Sequence, residues 1–155
     1  MTIDHNTLGM AKHTAKKYLS YKARTKKEIT NKLEAEGFDI DIINQTIEIL
    51  LHYNYINDEE YALSYINSRK NMGHHKLIFD LKIKGLEESL IKKALATRDE
   101  SPIIQTIFDK KLKGALPKDI KEKQKIFNYL ARRGFSFDDI ESSYNEYKRG
   151  TKHND

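Results

Sequence analysis

The sequence contains no cysteine and no tryptophan, and only two prolines and seven glycines in 155 residues. Without cysteine there are no disulfides, no thiol catalysis and no thiolate metal sites, and a reducing compartment, the cytoplasm, is expected. Scarce Gly and Pro beside abundant Lys, Glu, Leu and Ile argue against a turn-rich β fold and in favour of helix. Apolar runs are only a few residues long, too short for a membrane-spanning helix. The N-terminal stretch MTIDHNTLGMAKH lacks the apolar segment of a secretory signal.

Catalytic patterns are missing too. The six histidines are His5, His13, His52, His74, His75 and His153, and no two stand four residues apart. His74 and His75 are adjacent, so on a helix their rings point in different directions. No Gly-rich phosphate loop and no nucleophile motif is present. The carboxylates of NDEEY (57–61) are accounted for by helix capping and by the positive end of a helix dipole. Neither an enzyme nor a bound cofactor or metal is expected.

What the sequence does contain is a repeat. KLEAEGF (32–38), DLKIKGL (80–86) and YLARRGF (129–135) end in the same way. Gly37, Gly85 and Gly134 are 48 and 49 residues apart. Four residues before each stands Leu33, Leu81 or Leu130, and eight before stands Ile29, Leu77 or Ile126. Directly after each stands Phe38, Leu86 or Phe135. Ile43, Ile91 or Ile140 follows at plus six, and Ile47, Leu95 or Tyr144 at plus ten. Five ungapped apolar columns around a glycine column define an internal repeat. The upstream pair is one face of a helix, the glycine its left-handed stop, and the downstream pair the stripe of a second helix.

A further helix precedes each window. The first carries Tyr18 and Leu19 and stops near Arg24, after which Thr25 and Glu28 form a capping box. In the second repeat Asn57 is the expected N-cap, with Ala62, Tyr65 and Ile66 facing inward. In the third, Ser101 is the expected N-cap with Pro102 at the first helical position, and Ile104, Ile107 and Phe108 form the stripe. Asp39, Ser136 and, less ideally, Glu87 cap the last helices. The reading is all-α: nine helices in three tandem three-helix repeats, 8–56, 57–99 and 100–150. Each repeat is near the lower size limit for independent stability, so stacking into an elongated, curved molecule is expected. The 38% hydrophobic and 33% charged composition suits such a high surface-to-volume form.

The net charge is +5 and the excess is spread, being +1, +1 and +3 over residues 1–56, 57–99 and 100–155. Basic residues recur at helix junctions, as binding candidates against the simpler reading of a solvated helix face. They are Arg24, Lys26 and Lys27; Arg69, Lys70 and Lys76; Lys92 and Lys93; Lys121, Lys123 and Lys125; Arg132 and Arg133. Lys82 and Lys84 join them, because the repeat explains Leu81 and Gly85 but does not require the lysines. Arg69 falls on an apolar stripe, where its stem packs and its head reaches out. Tyr21, Tyr55 and Tyr61 are candidate stacking platforms set against an ordinary rim or core role.

The stretch YINDEEYALSYINSRKNMGHHKLIFDLKIKGL (55–86) resembles the signature of the RecX regulatory proteins. It has a helix start with Asn57, Asp58, Tyr61 and Ala62, then Arg69, then Gly73, then Leu81, Lys84, Gly85 and Leu86. YLSYKARTKKEITNKLEAEGF (18–38) is similar to the family's first repeat, whereas in the third Glu122 stands where a Thr or Gly opens the helix. The resemblance implies tandem three-helix repeats and a non-catalytic protein that binds the RecA recombinase and its filament on DNA. It implies modulation, usually inhibition, in recombination and repair, with weak salt-dependent contact to single- or double-stranded DNA. Many relatives carry an extra N-terminal region and further repeats, which this chain is not expected to have. A monomer is expected. The rival reading is a tandem helix-turn-helix DNA-binding protein acting independently of RecA, although no one helix gathers Arg, Asn and Gln on a face as base readers do.

Overall fold

The structure, a computed structural model, describes residues 5–153, with side chains as far as Thr151. The first four residues of the N-terminal stretch and the side chain of His153 lie outside that description. Among the described residues there are nine helices and no strand. They are α1 (His5–Leu19), α2 (Lys26–Ala35), α3 (Ile40–His52), α4 (Asp58–Ser68), α5 (His74–Ile83), α6 (Glu88–Leu95), α7 (Ser101–Leu112), α8 (Ile120–Arg132) and α9 (Phe137–His153). Among the described residues no helix is long and apolar enough to cross a membrane.

The recurring glycine turns have one geometry. In each, the amide after the glycine donates to the carbonyl of the column leucine: Phe38 to Leu33, Leu86 to Leu81, Phe135 to Leu130. The glycine amide donates to the carbonyl three residues back, and Gly37, Gly85 and Gly134 have φ of 91°, 92° and 99°. This is the Schellman arrangement, which satisfies the last carbonyls of a helix by a left-handed residue. The apolar columns are the core: every one of their residues is buried except Phe38, which is partly buried and packs against the first cluster. Each fully buried Leu or Ile contributes about 1.5–3 kcal/mol relative to exposure.

The chain forms two compact units, one built from residues up to Tyr65 together with Leu81–Ala94, the other from Ile66–Asp80 together with Leu95 onward. In the first, α1, α2 and α3 pack together around Leu8, Ala11, Ala15, Ile29, Leu33, Ile43, Ile47 and Leu50. Thr25 caps α2 by accepting from the Glu28 amide at 3.1 Å, while the Glu28 carboxylate accepts from the Thr25 amide at 3.0 Å. Asp39 caps α3, and the Asn57 side chain accepts from the Glu60 amide at the start of α4. In the second unit, α7, α8 and α9 enclose Ile104, Phe108, Leu112, Leu130, Phe135, Ile140, Tyr144 and Tyr147. Ser136 caps α9 by accepting from the Asp139 amide.

Three local expectations change. Ser101 is already helical, and Glu100 occupies the N-cap position without a side-chain cap bond. The reason is that the Asp99 carboxylate takes the Ser101 amide, while the Glu100 carboxylate turns inward to His74. Glu122 does not open α8: Asp119 does, accepting from the Glu122 amide at 2.8 Å, and Glu122 returns a carboxylate to the Lys118 amide. Tyr65 is only partly buried, unlike Ala62 and Ile66 on the same helix, and its ring stacks near Tyr61.

Candidate functional site

Within each unit, the N-terminus of one repeat's second helix sits on the glycine turn of the next repeat's second helix. In the first unit Thr25 donates its hydroxyl to the Lys84 carbonyl at 2.6 Å, and the aliphatic stem of Lys27 fills the space a side chain at Gly85 would need. The Lys26 amide donates to Asp58 at 2.9 Å. In the second unit the Gly73 amide donates to the Arg133 carbonyl at 2.8 Å and the His75 amide to the Gly134 carbonyl at 3.1 Å. Here Lys76 covers Gly134, and Gly73 lies so close to Gly134 and Phe135 that no Cβ fits.

These junctions decide where the candidate cations go. Arg24, Lys26, Lys27 and Lys84 come together around the first, and Lys76 and Arg133 around the second. Arg24 lies 3.7 Å over the Tyr18 ring, and Lys84 stands 5.8 Å from the Tyr65 ring. Several other candidates are already engaged. Lys82 and Lys92 both pair with Glu88 at 3.4 Å, and Lys93 pairs with Glu59 at 3.1 Å. Such exposed pairs contribute little to stability, but they reduce the positive field of that face. Lys123 lies over Tyr144 and Phe127. Arg69, half-buried, reaches the Ser68 hydroxyl at 2.7 Å, and Lys70 is exposed. Lys121, Lys125 and Arg132 are exposed on α8 and form no ion pair among the described residues. Tyr21 is 74% exposed and Tyr55 50% exposed, with Lys16 above the Tyr55 ring.

Two groups escaped sequence reasoning. One surrounds Tyr129 on α8, whose hydroxyl accepts from Arg133 Nε at 3.1 Å and Nη2 at 2.8 Å, with Lys111 Nζ 3.9 Å from the ring centroid. The four-residue spacing of Tyr129 and Arg133 was a visible signal; Lys111 arrives from another helix and left none. The other group is polar and buried: Glu100, His74 and Arg98. Glu100 is 7% exposed and accepts from the His74 amide, and its Oε1 is 3.1 Å from His74 Nδ1. Burial pushes the Glu100 carboxyl up from its ordinary value and the His74 imidazole down. The pair is at ion-pair distance, but burial opposes the charged form of both groups. Arg98 donates from Nη2 to the carbonyls of Met72 (2.5 Å) and Lys70 (3.1 Å), which fixes the connection between α4 and α5. These groups hold an inter-helix connection; no cluster of His, Cys, Asp or Glu among the described residues has the arrangement of a metal site.

Two family models match the chain: the RecX first three-helix domain over residues 11–50 and the RecX third three-helix domain over residues 103–142. A regulatory protein RecX of Clostridium perfringens is 34% identical over 134 residues, covering 82% of this chain and 63% of that protein. One from Bacillus licheniformis is 33% identical over 136 residues, covering 83% of this chain and 52% of that protein. The chain thus spans from about half to just under two thirds of the length of these relatives. The crystal structure of RecX from Lactobacillus salivarius matches with a TM-score of 0.82 at 26% identity, over 92% of this chain and 97% of that one. With domain models matching at both ends of the repeat array and a relative 34% identical over 82% of the chain, the chain belongs to the RecX family of regulatory proteins.

Proposed function

We propose that this protein binds the RecA recombinase and its filament on DNA and restrains recombinase activity in recombination and repair. Family membership is the observation that carries the reading. The repeat architecture supports it: three three-helix repeats (8–56, 57–99 and 100–150) offer serial contacts to a polymer without any chemistry of their own. The cations gathered at the two junctions support an attraction to phosphate or acidic protein surface that weakens as salt rises. The protein acts in the cytoplasm as a monomer.

The test is single-stranded-DNA-stimulated ATP hydrolysis by RecA, titrated with this protein. The rate should fall toward a plateau as the protein reaches equivalence with RecA. A rate unchanged at stoichiometric excess would remove the reading. A second arm compares binding to naked duplex with binding to a preformed RecA filament at equal salt. Preference for the filament supports the proposal, whereas much tighter, sequence-selective binding to naked duplex assigns the protein to DNA alone.

A further inference from the structure

A cavity of about 250 Å³ in the second unit is lined by Lys111, Glu122, Lys125, Ile126, Tyr129 and Arg132. Its chemistry centres on the Tyr129 hydroxyl. Two Arg133 donors occupy the acceptor positions of that oxygen, at 3.1 and 2.8 Å. A hydroxyl that accepts twice still has its own hydrogen to donate, and no acceptor among the described residues takes it. The Arg133 bonds lower the phenol's proton affinity, with smaller contributions from the charges of Arg133, Lys111 and Lys110, so this O–H is a stronger donor than an ordinary tyrosine's.

The rim is cationic. Lys111 stands over the ring, and Lys125 and Arg132 are exposed and carry no ion pair among the described residues. The one carboxylate on the lining, Glu122, is committed to the Lys118 amide at 3.2 Å. The cavity therefore calls for an anion. Its shape of donation narrows the class. The fork of Arg133 is already spent on the phenol, while the guanidinium of Arg132 on the lining is still available to an oxyanion. What remains is a polarised hydroxyl and cations converging from two helices, which suits a tetrahedral oxyanion with charge on several oxygens. We propose that this cavity binds a phosphate group, with Tyr129 donating its hydroxyl hydrogen to one oxygen and Lys111, Lys125 and Arg132 neutralising the charge.

The first unit holds similar residue types in a different state. Tyr18 has Arg24 and Lys32 against its ring, at 3.7 and 5.5 Å, beside a cavity of about 380 Å³. There Lys32 is paired with Glu36 at 3.0 Å, and Arg24 lies over the ring. The phosphate site is thus a property of α7 and α8, and Tyr18 is its internal control.

The phosphate could belong to a nucleic-acid backbone or be free in solution, and the experiment separates the two without RecA. Binding of a fluorescein-labelled thymidine oligonucleotide is followed by anisotropy, and inorganic phosphate is titrated as competitor. The Arg133 Nε–H signal is followed by NMR in both titrations. Tyr129→Phe, which keeps the ring, should weaken the binding about tenfold, in line with losing a hydrogen bond to a charged group. Lys111→Gln should weaken it and reduce the salt slope by about one, while Tyr18→Phe should match the unaltered protein. Movement of the Arg133 signal with the oligonucleotide alone assigns the site to a backbone phosphate, and movement with inorganic phosphate, with displacement of the oligonucleotide, assigns it to free phosphate. An Arg133 signal indifferent to both, or a folded Tyr129→Phe variant that binds as before, overturns the proposal. Should Tyr129→Phe fail to fold, the exposed Lys111→Gln variant decides in the same way. Either result leaves the RecA reading to be judged by its own assay.

Discussion

Thr25 and Lys84 are joined through one oxygen atom that serves two helices. The Thr25 hydroxyl accepts from the Glu28 amide, capping its own helix, and donates its hydrogen to the Lys84 carbonyl 59 residues away in sequence, at 2.6 Å. Thr25 is fully buried, so water cannot substitute at that oxygen. The repeat junction and the start of α2 are therefore a single polar element.

Removing that oxygen should cost both functions together. Thr25→Val keeps the shape and loses the hydroxyl, leaving the helix start uncapped and a carbonyl unpaired. The expected destabilisation is about 2–3 kcal/mol from the cap and the buried hydrogen bond. Thr25→Ser, which retains the oxygen, should recover most of it. Urea denaturation of the three proteins compares them. Equal stability of the valine and threonine forms would show that the junction does not depend on this bond.

Gly73→Ala should be among the most damaging single-methyl additions. A Cβ there meets backbone atoms of Gly134 and Phe135, which cannot rotate away as a side chain can. Overpacking of this kind costs about 1–3 kcal/mol. Gly9→Ala supplies the contrast, since Gly9 lies within α1 with open space around it. Removing a helical glycine there should stabilise by about 0.5–1 kcal/mol. Thermal unfolding should move the two variants in opposite directions from the unaltered protein.

The buried Glu100 gives a pH dependence of unusual sign. Its carboxyl is raised above 4.5 by burial, so the folded protein binds this proton more tightly than the unfolded chain. That contribution is present at low pH and is lost as pH rises from 4.5 through the folded value. His74 acts oppositely: burial lowers it below 6.5, so its contribution is present above 6.5 and is lost as pH falls through the folded value. In the unaltered protein the two partly offset each other on acidification. In Glu100→Gln only the histidine slope remains, so stability relative to the unaltered protein should fall as pH drops through the folded Glu100 value toward 4.5. Chemical denaturation at several pH values measures the difference, and a gap that stays constant would contradict this account.

Much of the fold was legible because the repeat is written in residues that answer to one requirement each. Leu33, Leu81 and Leu130 need only a buried helix face, and the glycines after them need only a left-handed turn, so spacing alone finds them. Thr25 with Glu28 is similarly local. The start of α7 was misplaced by one residue because Glu100 answers to a distant partner, His74, and no local rule announces that. The shift of α8 to Asp119 reflects two acidic residues competing for one cap. The site was less legible than the fold. Candidate lysines such as Lys92 and Lys93 are neutralised by carboxylates that approach through folding, on the same helix for one and on another for the other. Tyr129 carries no charge of its own to mark it, yet both its hydrogen bonds come from Arg133 one turn on and the lysine above its ring comes from α7.

The glycine turn at Gly37 has a different history open to it from its two echoes. An alanine Cβ at Gly85 or Gly134 would strike an adjoining residue, whereas at Gly37 it would meet nothing within 4 Å. The three positions look identical in a sequence comparison but carry unequal amounts of information. Gly37 is held by backbone conformation alone, so Asn, which tolerates φ near +90° better than other side chains, is an accessible replacement there. Gly85 and Gly134 are held twice over, by conformation and by a neighbour pressed against them. Among sequences drifting under selection for the same fold, variation at this column should therefore enter through the first repeat.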